Sequence, residues 1–169
     1  MSAPRIGVTM GDPKGIGPEV IERSLRALGS TEGVVIYGLP ELFAHLDVPC
    51  RHQETPRAAI EAAALDLAEG RLDGVVTGPV SKSCFDGDFP GHTELFADRL
   101  GAERFAMALT GDKLTVSCVT THIPLSEVSN ALTIDDIVST GRLLHDFLRD
   151  ARGLDRPRIA MAALNPHAS

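Results

Sequence analysis

Short apolar runs alternate with longer segments of helical periodicity through the first part of the chain. The runs predict strands at 5–10, 34–37 and 74–77, and the periodic segments predict helices at 16–28, 40–45, 57–69 and 93–100. Residues 47–55 show neither pattern and are predicted to be irregular. Continuous apolar strands that alternate with helices are typical of an α/β fold, with a mainly parallel sheet and helices on both of its faces.

The second part of the chain also combines apolar runs with a helical segment, but it begins with two predicted strands in succession. Apolar runs at 105–109 and 114–120 lie on either side of Gly111-Asp112, which is a turn signal. Thr133 is a good N-cap for a long helix over 134–152, which Gly153 ends, and 159–163 reads as a final strand.

Composition limits the kinds of partner this protein can have. The chain has 169 residues and a net charge of −7, with no basic cluster, so neither nucleic acid nor an anionic membrane is expected as a partner. No apolar run reaches the roughly 20 residues that a membrane span needs, and no leader sequence is visible. The three cysteines are widely spaced and show no metal-binding pattern, which favours a reduced, cytoplasmic setting.

The first strand runs into the glycine-rich segment Met10-Gly11-Asp12-Pro13-Lys14-Gly15-Ile16-Gly17-Pro18-Glu19. Free N–H groups at the start of the following helix could bind a phosphate or a carboxylate there. The glycine spacing matches neither the dinucleotide fingerprint nor the phosphate loop of nucleotide hydrolases. A turn that only lets strand and helix pack closely explains the glycines equally well.

Four further positions carry candidate chemistry. Lys82 lies just beyond a predicted strand end in Thr-Gly-Pro-Val-Ser-Lys, although a lone lysine is usually a solvated surface group. His92 precedes Thr93, which on its own reads as an N-cap. His122 and His167 follow predicted strands, each within two residues of a proline, and could converge on one cation because imidazole is a common transition-metal ligand. Structural histidines explain that pair at least as well from spacing alone.

Five motifs in this order closely resemble the 4-hydroxythreonine-4-phosphate dehydrogenase family of vitamin B6 biosynthesis. They are Met-Gly-Asp-Pro-Lys-Gly-Ile-Gly-Pro-Glu at 10–19, Thr-Gly-Pro-Val-Ser-Lys at 77–82, Pro-Gly-His-Thr-Glu at 90–94, Thr-Thr-His-Ile-Pro-Leu at 120–125 and Leu-Asn-Pro-His-Ala at 164–168. The family includes relatives that act on 4-phosphoerythronate or 4-phosphothreonate. The resemblance covers nearly the whole chain and does not specify the substrate.

The resemblance implies an α/β fold like that of isocitrate and isopropylmalate dehydrogenases, in a homodimer with shared active sites. It implies NAD as the cofactor, with a divalent metal (zinc, magnesium or cobalt) held by three histidines from both subunits. His122 and His167 match two of those ligands, and His92 and Thr93 match the substrate-binding pair. Lys82 matches a lysine near the site and is the candidate catalytic residue, in contact with the substrate or its phosphate.

The chain also departs from the family pattern. The segments between Pro49 and Gly74 and before Pro90 are shorter than the family leads one to expect. Residues 1–169 are expected to form only the N-terminal half of the dehydrogenase, an incomplete fold without the third metal histidine and most NAD contacts. We therefore expect residues 1–169 alone to bind metal weakly and to turn over no substrate.

Two alternatives to the dehydrogenase stay open from the sequence. One is a non-catalytic, truncated α/β module that binds a phosphorylated ligand. The other is a phosphatase-like or kinase-like protein, which the absence of a phosphate-loop lysine motif disfavours.

Overall fold

The computed structural model describes residues 3–85 and 87–166, with the side chain of Lys82 left out. The chain resolves into two compact units, residues 1–102 and 103–169. Among the described residues, none of the helices has both the length and the apolar character needed to cross a membrane.

Unit 1 is built on a four-stranded parallel sheet. Its strands are β1 (Ile6–Thr9), β2 (Val34–Gly38), β3 (Cys50–His52) and β4 (Gly74–Thr77), and their order across the sheet is β3-β2-β1-β4. The helices are α1 (Gly17–Leu28), α2 (Pro40–Phe43), α3 (Pro56–Ala68) and α4 (His92–Arg99), and a short 3₁₀ turn spans Lys82–Phe85. The predicted α/β class with a mainly parallel sheet is confirmed.

Helices cover both faces of this sheet, as the sequence pattern predicts. On one face, Ile36 packs with Ile21 and Leu25 of α1. On the other face, Tyr37 packs with Ala59 and Ala63 of α3. Because consecutive strand residues point to opposite faces, β2 must be apolar along its length to be buried on both sides.

The prediction that residues 47–55 are irregular is wrong in part, because Cys50–His52 forms β3. This strand pairs in parallel with β2, with Ile36 opposite Cys50 and Gly38 opposite His52. It is an edge strand, and two of its three residues are charged or polar and exposed. Its conformation is set by pairing with β2 rather than by a local apolar pattern.

A buried carboxylate ties α3 to the sheet. Asp66 is 3% exposed and accepts hydrogen bonds from the Tyr37 hydroxyl and from the Arg51 guanidinium. Arg71 Nε donates to the other oxygen of Asp66 at 2.7 Å. Both arginines keep about half of their side-chain surface exposed, so the charge at Asp66 is compensated at the margin of the core.

Unit 2 begins with an antiparallel hairpin, β5 (Met107–Thr110) and β6 (Thr115–Cys118). Two helices follow, α5 (Val128–Ala131) and α6 (Ile134–Asp146). The hydroxyl of Thr133 accepts a hydrogen bond from Asp136 N at 3.1 Å, which confirms the predicted N-cap. The predicted helix over 134–152 is α-helical only to Asp146 and then widens into a π-helical turn, Phe147–Ala151.

The predicted strand at 159–163 does not form. The residues have no regular secondary structure and no ladder partner, and they line an open cleft with β6 and α6. A strand exists only when its backbone groups pair with a neighbour, and an apolar run does not reveal whether such a neighbour is present. Every described residue of unit 2 keeps part of its surface exposed, so the buried core clusters of the described chain all lie in unit 1.

Candidate active site

The first two motifs of the sequence lie side by side at the carboxyl edge of the parallel sheet. Strand β1 ends at Thr9 and its neighbour β4 ends at Thr77, so the loops that follow both strands leave the sheet together. From β1 the chain moves to β2 on one side, whereas β4 returns on the other. This is the switch point of the sheet, the place where open α/β sheets bind their ligands.

Backbone hydrogen bonds tie these two loops to each other. Gly78 N donates to Thr9 O at 3.0 Å and approaches Thr9 Oγ1 at 3.2 Å. Asp12 N donates to Pro79 O at 2.9 Å. Thr9 is 1% exposed, so its hydroxyl faces the other loop rather than solvent.

Glycine is required in this arrangement at two positions. A Cβ on Gly78 would lie 2.5 Å from Thr9 O and 2.7 Å from Gly11 N. Gly11 has φ +72°, and a Cβ there would lie 2.6 Å from Pro79 O. The close packing of two backbones therefore explains these glycines, and the reading of the first motif as a packing turn holds for them.

The carboxylate of Asp12, in the first motif, forms a hydrogen bond within its own loop. Asp12 Oδ1 accepts a hydrogen bond from Lys14 N at 2.9 Å, and Asp12 O accepts one from Gly15 N at 3.0 Å. Such a turn fixes the backbone ahead of α1. Lys14 itself is exposed.

Lys82, the candidate catalytic residue, begins the 3₁₀ turn that follows the second motif. Its backbone is therefore placed after β4, as the sequence predicts. Its side chain lies outside the described part of the structure, and its contact with substrate stays a prediction.

His92 is the first residue of α4, and its ring is half buried. The ring meets that of Phe85 edge-on, with centroids 5.2 Å apart and an angle of 80° between planes. Within the described residues, its Nε2 atom is buried and has no hydrogen-bond partner. Burial lowers the pKa of His92 below its ordinary value, so the neutral imidazole is favoured.

The interpretation of Thr93 as a helix N-cap is wrong. The helix begins one residue earlier, and the N-cap is Gly91, which has no side chain to cap it. Thr93 lies in the first turn of α4 instead, half buried beside His92. The pairing of an imidazole and a hydroxyl at one helix start therefore has no capping role to explain it.

His122 lies in the loop after β6, not at the end of that strand, which stops at Cys118. Its φ of +60° is the only positive value among non-glycine residues of the described chain. Residues other than glycine are rarely held in this left-handed region, and such residues cluster at functional sites. The side chain is exposed, so the imidazole is accessible to a ligand.

His167 lies outside the described residues, so the structure does not test its pairing with His122. Among the described residues, no three side chains of histidine, cysteine, aspartate or glutamate come together as a metal site. His122 therefore stays a predicted metal ligand, with an imidazole that is exposed.

The sequence pattern did not reveal a charged group beneath the loop that leads to His92. Glu61 of α3 accepts hydrogen bonds from Arg57 and Arg99. The spacing of Arg57 and Glu61 along one helix is a recognisable signal of an ion pair. The contact with Arg99 depends on the packing of α3 against α4, which has no local signature.

Comparison with known proteins identifies the family. The model of the family described as pyridoxal phosphate biosynthetic protein PdxA matches residues 50–169. A 4-hydroxythreonine-4-phosphate dehydrogenase of Desulforapulum autotrophicum is 35% identical over 212 residues, covering 97% of this chain and 62% of the relative. The enzyme of the same name from Burkholderia vietnamiensis is 34% identical over 206 residues, covering 99% of this chain and 63% of the relative.

Solved structures agree with these relatives. A 4-hydroxythreonine-4-phosphate dehydrogenase from Klebsiella pneumoniae superimposes with a TM-score of 0.82 at 30% identity, covering 99% of this chain and 64% of that one. One from Burkholderia phymatum gives a TM-score of 0.74 at 26% identity, covering 99% and 64%. This chain thus spans less than two thirds of the length of the relatives it matches. It belongs to the pyridoxal phosphate biosynthetic protein PdxA family.

Proposed function

We propose that residues 1–169 act as the N-terminal half of an NAD-dependent and metal-dependent dehydrogenase of 4-phosphohydroxy-L-threonine, in pyridoxal phosphate biosynthesis. The observation that carries this proposal is the match of almost the whole chain to relatives named 4-hydroxythreonine-4-phosphate dehydrogenase. We further propose that it works in the cytoplasm as a homodimer with shared active sites, as the family resemblance implies. Dehydrogenases of 4-phosphoerythronate or 4-phosphothreonate are the alternatives within the family.

The proposed reaction removes two hydrogens from the secondary alcohol of the substrate. The hydroxyl gives up its proton, and the carbon that carries it gives a hydride to NAD, which is reduced to NADH. The resulting β-keto acid loses carbon dioxide and takes up a proton, which yields 3-amino-2-oxopropyl phosphate.

His92 and Thr93 are the proposed substrate-binding pair. The buried Nε2 atom of His92 lacks a partner within the described chain, and an unpaired buried polar atom is costly unless a ligand satisfies it. Because burial favours the neutral ring, His92 would exchange a hydrogen bond with a substrate hydroxyl or carboxylate rather than supply a positive charge. Lys82 is the proposed cation for the phosphate or the carboxylate of the substrate.

His122 and His167 are the proposed metal ligands of this chain. His122 has an exposed imidazole on a strained backbone, which suits a metal-binding side chain that the protein holds in one orientation. A bound divalent cation would supply Lewis acidity, lowering the pKa of the substrate hydroxyl. The remaining donors would come from the partner subunit and from outside residues 1–169.

Substrate binding tests the proposed role of His92. The variant His92→Phe keeps a ring against Phe85 and removes both nitrogens, so we expect the Kd for 4-phosphohydroxy-L-threonine to rise about tenfold, the value of one hydrogen bond. The exposed His45, which pairs with Glu22, provides the control variant His45→Phe, which should bind like the wild type. Titration calorimetry measures both, and equal affinity in the wild type and His92→Phe would remove His92 from the substrate site.

A further inference from the structure

Three charged side chains on α3 and α4 form one hydrogen-bonded group. Glu61 Oε1 accepts from Arg57 Nε at 2.9 Å and from Arg99 Nη2 at 2.9 Å, while Glu61 Oε2 accepts from Arg99 Nε at 2.6 Å. A single carboxylate thus joins two guanidinium groups from two helices. We call Glu61, Arg57 and Arg99 the Glu61 clamp.

The Glu61 clamp holds two phenylalanines that precede α4. Arg57 Nη1 donates to the carbonyl of Phe85 at 3.3 Å. The guanidinium carbons of Arg57 and Arg99 each lie 5.5 Å from the centroid of the Phe89 ring, within the range of a cation–π contact. Phe89 is therefore approached by two cations that are joined through the carboxylate of Glu61.

Phe85 contacts His92 directly, and Phe89 lies three residues before it in the chain. Phe85 is 2% exposed, and its ring is the one that His92 meets edge-on. Phe89 lies just ahead of Gly91, the N-cap of α4, so its position sets the path by which the chain enters the helix. The clamp thus fixes both the surface against which His92 packs and the backbone that carries it.

Two members of the clamp, Arg57 and Glu61, are largely shielded from solvent, whereas Arg99 is exposed. The side chains of Arg57 and Glu61 are 22% and 29% exposed, and that of Arg99 is 39% exposed. The hydrogen bond from Arg99 holds the pKa of Glu61 below its ordinary value, against the opposing effect of burial. The carboxylate therefore stays ionised and the group stays joined through the neutral pH range.

We propose that the Glu61 clamp positions the imidazole of His92. Glu61 is a positioning residue, because it acts through Phe85 and Phe89 and not by contact with His92 itself. The consequence for substrate binding rests on the proposed function, whereas the placement of the ring does not.

The test follows the His92 ring by NMR as a function of pH. Glu61→Gln keeps the size of the side chain and removes the one charge that both arginines share. Their other partners, Asp88 for Arg57 and Asp98 for Arg99, are more than half exposed. Loosening the clamp should let water reach Nε2, so the pKa of His92 should rise toward the ordinary value of about 6.5. Glu22→Gln is the matched control, because Glu22 pairs with Arg26 four residues along α1 and is 32% exposed. It should leave the His92 titration unchanged.

An unchanged His92 titration in folded Glu61→Gln would overturn the proposal. If Glu61→Gln does not fold, Arg99→Met, which removes one arm and keeps the pair of Arg57 and Glu61, takes its place and should move the His92 titration in the same direction. A change in thermal stability without movement of the His92 titration would mean a merely structural role and would also overturn it.

The same samples separate this proposal from the proposed function. Binding of 4-phosphohydroxy-L-threonine is measured beside the titration, and we expect Kd to rise where the titration moves. If the titration moves and a chimera, in which this chain replaces the aligned region of the Desulforapulum autotrophicum relative, binds no substrate, the clamp positions His92 and the proposed function fails. If substrate binds and the titration does not move, the proposed function stands and the clamp proposal fails.

Discussion

Individual buried groups determine much of the chemistry in unit 1. The pKa of Asp66 is pulled in two directions: burial raises it, whereas the hydrogen bonds from Tyr37 and Arg71 lower it and prevail. Burial raises the pKa of the Tyr37 hydroxyl, and the hydrogen bond to Asp66 raises it further. Asp66 is thus a buried anion that three donors compensate.

Asp66→Asn should destabilise the protein by about 3 kcal/mol, because it breaks the pairing of a buried charge whose arginine partners are half exposed. Asp73→Asn is the control, since Asp73 pairs with Arg5 at the surface, and it should change the unfolding midpoint much less. Urea unfolding measures both. Equal effects of the two substitutions would mean that burial of Asp66 is energetically unimportant.

The same residue should make stability depend on acid. Because the folded pKa of Asp66 is below the ordinary 3.8, its stabilising contribution is present above about pH 4 and is lost as pH falls through the folded pKa. We expect the wild type to lose more stability than Asp66→Asn between pH 4 and pH 2, in the same urea series. Parallel losses in the two proteins would contradict the depressed pKa.

Substitutions of Gly11 and Gly29 distinguish the cost of backbone strain from the cost of disturbing close packing. Both have φ +72°, but a Cβ on Gly11 meets Pro79 O, whereas a Cβ on Gly29 meets nothing within 4 Å. Gly29→Ala should cost about 1 kcal/mol for the left-handed backbone alone. Gly11→Ala should cost about 1–3 kcal/mol more, because two loops must separate. Equal unfolding midpoints would show that the two loops are not tightly packed.

At the scale of elements, periodicity predicted those that are stabilised by their own apolar pattern. The runs at β1, β2 and β4 and the amphipathic α1 lie where the sequence places them, within a residue or two at the ends. Each buries a continuous face or stripe, which leaves a signal in the order of residues.

Elements whose existence depends on a distant partner were not predictable. Strand β3 carries no apolar alternation and forms because β2 offers a free edge. The segment 159–163 has the pattern of a strand and remains unpaired. The local sequence shows which residues are apolar enough to be buried, but it does not show which neighbouring strand or helix will cover them.

The candidate site was predictable in its motifs and not in its support. The glycine-rich loop and the Thr-Gly-Pro loop were singled out, and parallel pairing of β1 with β4 brings them together. His92 was singled out as well, yet the Glu61 clamp was not, because Arg99 reaches Glu61 only once α4 packs on α3. A contact between two helices is not marked by a fixed spacing of residues along the sequence.

At the scale of the molecule, the two units differ in how completely their residues are buried. Unit 1 has three core clusters, whereas every described residue of unit 2 keeps some exposure. The first relative aligns 212 of its residues with this chain of 169, so relatives carry segments within the aligned region that this chain lacks.

The most direct test of the proposed dehydrogenase is NADH formation by a chimera. In the chimera, this chain replaces the aligned region of the Desulforapulum autotrophicum relative, and NADH is followed with 4-phosphohydroxy-L-threonine, NAD and zinc. We predict that the chimera forms NADH, that residues 1–169 alone do not, and that His122→Ala abolishes formation while the control His45→Ala preserves it. A chimera that melts cooperatively, binds substrate and forms no NADH, or full activity in His122→Ala, would contradict the account.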